Sequence, residues 1–99
     1  MLDLSPGSLD TVKAILKKHV PNAEVRAFGS RVMQTAKPYS DLDLAIVAEK
    51  KLDIKVLGRL REDFQESDLP IRVDIVDWHA ISKEFKSVIT TRYEVIQKS

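Results

Sequence analysis

The sequence predicts an α+β domain of two layers, in which a mixed β-sheet carries helices mainly on one face. Segments with apolar residues at helical spacing alternate along the chain with short segments in which apolar and polar residues alternate, in the order α-β-α-β-α-β-α. The chain has 99 residues, 43% hydrophobic and 31% charged, an ordinary globular balance with enough length for one modest core. We therefore expect a single domain over residues 1–99.

The helices are predicted from apolar spacing together with residues that start or stop a helix. Pro21 ends the first helix, Ser30 can cap the second, and the third continues through Gly58. We expect helices over residues 8–19, about 30–36 and 52–67, and a last helix that starts near Ser82.

Three strands are predicted between these helices, over Glu24–Phe28, Asp41–Ala48 and Pro70–Trp78. The second is the most apolar segment of the chain, so we expect it in the middle of the sheet. The segment YEVIQ near the C-terminus fits either a short edge strand or a helical tail, and the pattern leaves both open.

Composition narrows the classes of function. The net charge of +1 gives no overall attraction to nucleic acid, and no basic run is long enough to suggest a local patch. No apolar run approaches the roughly 20 residues needed to cross a bilayer. The N-terminus lacks the basic start and apolar stretch of a secretory signal, so we expect a cytoplasmic protein.

Three aspartates are the candidate metal ligands. Asp41 and Asp43 are separated by one residue on a predicted strand, so their side chains point to one face about 7 Å apart along the backbone. Asp74 also points away from the apolar face of its own strand. If the two strands are neighbours, the three carboxylates meet and repel each other unless a cation lies among them. Oxygen ligands of this kind favour Mg²⁺, in a site for two ions.

Gly29-Ser30, at the end of the first strand, is the candidate phosphate-binding turn. Glycine permits a close approach of the backbone to an anion, and the start of the following helix presents N–H groups to it. Ser30 can add a hydroxyl hydrogen bond and Arg31 a charge-assisted one. The turn and the metal could then hold a triphosphate while an acceptor hydroxyl displaces pyrophosphate, with Asp74 as base or as ligand of the second ion.

Ordinary structural roles compete with these interpretations. A lone Gly-Ser after a strand is usually a turn, and a lone Asp-x-Asp is usually a solvated strand edge or a helix cap. The agreement of a turn, a short helix, Asp-x-Asp and a third aspartate in phase favours the functional interpretation. For Asp77 we expect a cap or surface role, for Trp78 packing against a helix, and for His19 and His79 no part in catalysis.

The run GSRVMQTAKPYSDLDL resembles the signature of the DNA polymerase β-like nucleotidyltransferase superfamily, in which Gly-Ser is followed after ten residues by Asp-x-Asp. The resemblance covers nearly the whole chain and is to the minimal nucleotidyltransferase branch. Many relatives have Arg and Gly where this chain has Met33 and Gln34, which removes one positive charge near the phosphates. The resemblance implies nucleotide binding by Gly29, Ser30 and Arg31, and catalysis and metal binding by Asp41, Asp43 and Asp74.

Members of this branch are typically encoded beside a small all-helical protein of the HEPN or substrate-binding type. The resemblance therefore implies transfer of AMP from ATP to such a partner, in a toxin–antitoxin pair. Larger relatives carry a second domain that closes over base and acceptor, which 99 residues do not supply, so we expect the partner to complete the cleft. The alternatives are a binding subunit that masks its partner without catalysis, and transfer to a small molecule or RNA.

Overall fold

The computed structural model describes residues 2–99. In chain order its elements are α1 (Pro6–His19), β1 (Glu24–Phe28), α2 (Ser30–Met33), β2 (Leu42–Val47), α3 (Ile54–Glu66), β3 (Val73–Asp77), α4 (Lys83–Thr91) and β4 (Glu94–Gln97). Between β3 and α4 lies a short 3₁₀ turn, Trp78–Ala80. Over residues 2–99, no helix combines the length and the apolar character that a membrane span requires.

The strands form one mixed sheet in the order β3-β2-β1-β4. β1 is antiparallel to both β2 and β4, whereas β2 and β3 are parallel. The interior position predicted for β2 is confirmed, because this most apolar strand has a neighbour on each side. The YEVIQ segment is the edge strand β4, so the helical tail is the wrong alternative.

Helices α1 and α3 cover one face of the sheet, and the main core lies between them and the strands. On β2 the side chains of Leu42, Leu44 and Ile46 point into this core and are fully buried. The main core residues of the other elements are Val12, Ile15 and Leu16 of α1, Val25 and Ala27 of β1, Leu60 and Phe64 of α3, and Ile75 of β3. The predicted fold class, an α+β domain in which a mixed sheet carries helices mainly on one face, is therefore confirmed.

Helix α4 contacts the opposite face. Phe28, which alternates with the buried residues of β1, meets Phe85 of α4 edge to face with ring centroids 5.8 Å apart. Ile89 of α4 is fully buried, although it lies outside the main core. On this second face Asp43 stays partly exposed and Asp74 exposed, so the sheet has an open area beside α4.

Capping residues explain two helix bounds that differ from the prediction. Ser5 accepts a hydrogen bond from the N–H of Ser8 at 3.3 Å, and Pro6 takes the first helical position, so α1 starts earlier than residue 8. Gln34 adopts a left-handed conformation with φ 62°, which ends α2 at Met33.

Asp77 ends β3 as a buried cap. It shares the orientation of the core residues of β3, and only 4% of it is exposed. Its carboxylate accepts hydrogen bonds from the N–H groups of His79 at 3.1 Å and Leu52 at 2.9 Å. The cap role is therefore confirmed, and the surface role is wrong because the strand parity turns Asp77 inward.

Candidate functional site

The turn after β1 meets the start of β2 at Gly29. Gly29 has a φ of +82°, a conformation that favours glycine. A Cβ at this position would lie only 2.3 Å from Oδ2 of Asp43. The antiparallel register, which pairs Phe28 with Asp43, brings the two together. The Asp43 carboxylate therefore rests against the backbone of the turn, where only a glycine leaves room for it.

Asp43 and Asp74 lie directly opposite each other on the parallel strands β2 and β3. Neighbouring strands are about 4.8 Å apart, so the two carboxylates share a small volume. Burial, followed by the charges of Asp74 and Asp41, raises the pKa of Asp43 to about 6. All three causes disfavour the ionised carboxylate, and a bound cation would reverse that balance.

Asp41 lies immediately before β2, where Nε of Arg72 is 3.7 Å from its Oδ2. Both side chains are well exposed, at 74% for Arg72 and 43% for Asp41. An exposed pair of this kind contributes at most about 1 kcal/mol, so Asp41 can leave it at little cost.

The three carboxylates are neighbours but do not form a ready coordination site. Within residues 2–99, no group of three or more Asp, Glu, His or Cys side chains is arranged to hold a metal ion. The donor set itself, all carboxylate oxygens, fits Mg²⁺.

Arg72 was not singled out from the sequence, although a signal for it is present. Residue 74 follows residue 43 by 31 positions, and residue 72 follows residue 41 by the same 31 positions. Parallel strands in register keep such an offset constant. The pairing that places Asp74 beside Asp43 therefore also places Arg72 beside Asp41.

The turn itself is closed by main-chain hydrogen bonds. The N–H groups of Val32 and Met33 both donate to the carbonyl oxygen of Gly29 at 3.0 Å. Ser30, the first residue of α2, is half-buried beside Gly29. Its hydroxyl thus belongs to the turn that the Asp43 carboxylate contacts.

Arg31 has other partners than the phosphate expected from the sequence. It is buried, with 7% exposed. Its Nε donates to the carbonyl of Ser40 at 3.0 Å, and one terminal nitrogen donates to that of Asp3 at 2.8 Å. The other terminal nitrogen donates to the carbonyls of Pro38 at 3.1 Å and Lys37 at 3.4 Å. The structure thus places Arg31 within the protein instead of at an open anion site.

Residues 10–99 match the family described as polymerase beta, nucleotidyltransferase. The chain belongs to this nucleotidyltransferase family. It is 52% identical over 97 residues to a Haemophilus influenzae protein named "Probable protein adenylyltransferase MntA", and the match covers 98% of this chain and 85% of that protein.

Two solved structures share the nucleotidyltransferase fold. One is a toxin–antitoxin with AMP-PNP, with a TM-score of 0.77 and 24% identity over 92% of this chain and 73% of that one. The other is a tri-AMPylated Shewanella oneidensis HEPN toxin in complex with an MNT antitoxin. Its TM-score is 0.69, with 22% identity over 93% of this chain and 71% of that one. At sequence identities of 24% and 22%, the similarity shows that this chain and the two proteins share a fold.

Met33 and Gln34, where the family resemblance implies Arg and Gly, lie at the end of α2 and just after it. Met33 is 50% exposed and provides no charge. Gln34 takes a positive φ of 62°, a conformation that glycine adopts with less strain. Gln34 therefore holds a left-handed position in the turn, and Met33 adds no positive charge there.

Aromatic side chains and cations pack together on the second face of the nucleotidyltransferase sheet, the face that α4 contacts. The guanidinium of Arg26 lies 4.9 Å from the ring centroid of Trp78 and 4.6 Å from that of Tyr93. Nζ of Lys86, on α4, lies 5.6 Å from the Trp78 centroid. The expected packing of Trp78 against a helix is confirmed.

Both histidines make structural contacts. Nε2 of His79 is 2.6 Å from the carbonyl oxygen of Ala48. Nε2 of His19 is 2.8 Å from Oδ2 of Asp63, which links α1 to α3, and this hydrogen bond lowers the pKa of Asp63. These contacts agree with the expectation that neither histidine acts in catalysis, which stays a prediction.

Proposed function

We propose that this nucleotidyltransferase transfers AMP from ATP to a hydroxyl group of a small helical partner protein of the HEPN type. The observation that carries the proposal is the contact of the Asp43 carboxylate with the Gly29 turn. It brings the candidate phosphate-binding turn and the candidate metal ligands to one point. Further support comes from the 52% identity to a protein named as a probable protein adenylyltransferase.

Asp41, Asp43 and Asp74 would hold Mg²⁺, in a site for two ions. Bound there, the metal supplies positive charge to the triphosphate and makes an acceptor hydroxyl more acidic. The all-oxygen donor set and the raised pKa of Asp43, caused by burial and like charges, support this assignment.

Residues of the chain itself would bind the phosphates and accept the proton. Gly29 leaves room for the Asp43 carboxylate beside the turn, and the Ser30 hydroxyl would donate a hydrogen bond to a phosphate oxygen. The acceptor oxygen forms a bond to the α-phosphorus, the bond from that phosphorus to the bridging oxygen breaks, and pyrophosphate leaves. Asp74, which is exposed beside Asp43, would accept the proton of the acceptor hydroxyl or hold the second ion.

Room for a bound group exists next to Asp74. A cleft of about 600 Å³ lies between α3 and the segment that leads into β3, with Arg61 and Arg72 as its cationic side chains and Phe64 among its apolar ones. Asp74 is one of the residues that line it. We infer that a partner protein closes this side, because only one helix and the segment before β3 bound the cleft. The cytoplasmic location expected from the sequence stays a prediction.

Mass spectrometry tests the proposed function directly. The protein is mixed with the product of the neighbouring gene, ATP and Mg²⁺, and both chains are weighed. We expect the partner to gain one or more AMP groups, and Asp41→Asn/Asp43→Asn protein to give no gain. A gain that persists in the double variant, or no gain with the unchanged protein, contradicts the proposal. If RNA or a small molecule gains the AMP group while the partner protein stays unmodified, the acceptor is that RNA or small molecule.

A second candidate is a binding subunit that masks its partner without catalysis. The observation in its favour is the Asp41–Arg72 pair, because one of the three candidate metal ligands already has a partner within the chain. The Asp41→Asn/Asp43→Asn variant separates the two candidates. If it still neutralises the partner as well as unchanged protein does, masking is sufficient; if neutralisation is lost while complex formation persists, transfer is required.

A further inference from the structure

We propose that Arg31 is a positioning residue, which holds the loop over residues 37–40 so that Asp41 and Asp43 are presented at the Gly29-Ser30 turn. On this view Arg31 acts through the loop and does not contact the phosphates of the nucleotide. The role rests on the proposed function, since it concerns the same metal and phosphate site.

The number of donors on Arg31 supports this assignment. A guanidinium has five N–H donors. Within residues 2–99, the bonds to the carbonyls of Ser40, Asp3, Pro38 and Lys37 engage four of them. With 7% of the residue exposed, little of the guanidinium is left for a phosphate. A bidentate phosphate contact would need some of these bonds to break.

The loop that Arg31 holds leads directly into the candidate metal ligands. It is closed on itself, because Lys37 N–H donates to Oγ of Ser40 at 2.8 Å and Ser40 N–H donates to the Lys37 carbonyl at 3.0 Å. Asp41 follows Ser40, and Leu42 N–H donates to the Arg72 carbonyl at 2.9 Å. The backbone around Asp41 is thus held on one side by the loop and on the other by Arg72, the residue before β3.

The N-terminal segment is fastened to the same residue. Asp3 accepts a hydrogen bond from the Arg31 guanidinium at 2.8 Å, and its own N–H donates to the Arg31 carbonyl at 2.7 Å. Leu2 and Leu4, on either side of Asp3, pack against the main core. Arg31 therefore joins three parts of the chain, namely α2, the N-terminal segment and the loop before Asp41.

The contacts explain why an arginine is needed here. The planar guanidinium directs its donors along several fixed directions, and carbonyls from two separate segments meet them. A lysine carries the same charge, but its single ammonium cannot span these acceptors. Arg31→Lys thus removes the fork while it keeps the charge.

The test compares Arg31→Lys with Arg59→Lys, an exposed arginine on α3 that serves as control. Mn²⁺ affinity is measured by electron paramagnetic resonance without nucleotide, and kcat and KM for ATP are measured in AMP transfer to the partner. We expect Arg31→Lys to weaken Mn²⁺ binding and to lower kcat about 10- to 100-fold, the usual effect of losing support behind a metal ligand, with little change in KM for ATP. Arg59→Lys should match the unchanged protein.

Other outcomes overturn the role of Arg31. A higher KM for ATP with unchanged kcat and Mn²⁺ affinity would show a phosphate contact. A lower melting temperature alone would show a residue that serves stability only. If the unchanged protein binds no Mn²⁺, both the metal site of the proposed function and the role of Arg31 are contradicted. If the unchanged protein and Arg31→Lys bind Mn²⁺ equally well, only the role of Arg31 is contradicted.

A measurement on the unchanged protein does not depend on how the variant folds. The ¹⁵Nε resonance of Arg31 is followed by nuclear magnetic resonance while AMP-PNP and Mg²⁺ are added. We expect it to stay in place, because its N–H remains bonded to the Ser40 carbonyl. A large shift that saturates with AMP-PNP binding would show a new bond to phosphate and overturn the proposal.

Discussion

At the residue scale, the site depends most directly on Gly29. A methyl group there would meet Oδ2 of Asp43 at 2.3 Å, and the φ of +82° would strain any other residue. We expect Gly29→Ala to lower the free energy of unfolding by about 1–3 kcal/mol and to displace the Asp43 carboxylate. AMP transfer should fall at least about 100-fold, as for loss of a transition-state contact. Urea unfolding and mass spectrometry of the partner measure the two effects.

Gly58→Ala is the matched control for this change. Gly58 lies exposed inside α3, with nothing within 4 Å of an added Cβ. Alanine there should raise the free energy of unfolding by about 0.5–1 kcal/mol and leave transfer unchanged. If both alanine variants behave alike, the contact between Gly29 and Asp43 is not important for the site.

Ionisation of Asp43 gives the metal-free protein a characteristic pH dependence. The pKa of Asp43 is raised from 3.8 to about 6, chiefly by burial and then by Asp74 and Asp41. Between these values the folded protein binds more protons than the unfolded chain, so this group lowers the free energy of unfolding as pH rises from about 4 to about 6. Above pH 6 the free energy of unfolding stays lowered until a cation binds beside Asp43.

Asp43→Asn removes this contribution. In EDTA, the free energy of unfolding of Asp43→Asn protein should equal or exceed that of the unchanged protein at neutral pH. The difference between the two should fade as pH falls towards about 4. Urea unfolding across this pH range measures it. A large loss of stability in the variant at neutral pH would mean that Asp43 is a structural residue.

At the scale of elements, the Asp77 cap joins the end of β3 to the loop before α3. Asp77→Ala leaves the N–H groups of Leu52 and His79 without their acceptor, at a cost of about 1–3 kcal/mol in the free energy of unfolding. Because Asp77 points to the core face, away from Asp74, AMP transfer well below the melting temperature should change little. Asp68→Ala, at an exposed position, is the control. Equal melting temperatures for the two variants would contradict the cap role.

The elements also show what local patterns predict well. β1 has the bounds that its alternation predicts, and Ser82 caps α4 where the last helix is expected to start. β3 is shorter than its apolar pattern at both ends: it starts at Val73 instead of Pro70, and at Asp77 the chain enters the 3₁₀ turn, so that Trp78 leaves the sheet. Hydrophobic periodicity locates an element, whereas its ends depend on which hydrogen bonds compete there.

At the scale of the whole molecule, α4 makes the sheet a layer with helices on both faces. Ile89 of α4 is fully buried outside the main core, whereas its neighbour Val88 is 64% exposed. We expect Ile89→Ala to lower the free energy of unfolding by about 2–5 kcal/mol, as in a central core, and Val88→Ala to change it by less than about 0.5 kcal/mol. Thermal unfolding followed by circular dichroism measures both. A small effect of Ile89→Ala would mean that α4 is only loosely attached.

The helices, the first three strands, the interior position of β2 and the orientation of Asp43 and Asp74 follow from side-chain period and strand parity, which are local properties of the chain. The strand β4 and the parallel, in-register pairing of β2 with β3, which puts Asp74 beside Asp43 and Arg72 beside Asp41, appear only in the folded structure. The inward orientation of Arg31 also appears only in the folded structure, because its carbonyl partners Asp3 and Ser40 lie in segments before and after it in the chain. Pairing and burial depend on contacts between distant residues, and no local pattern contains them.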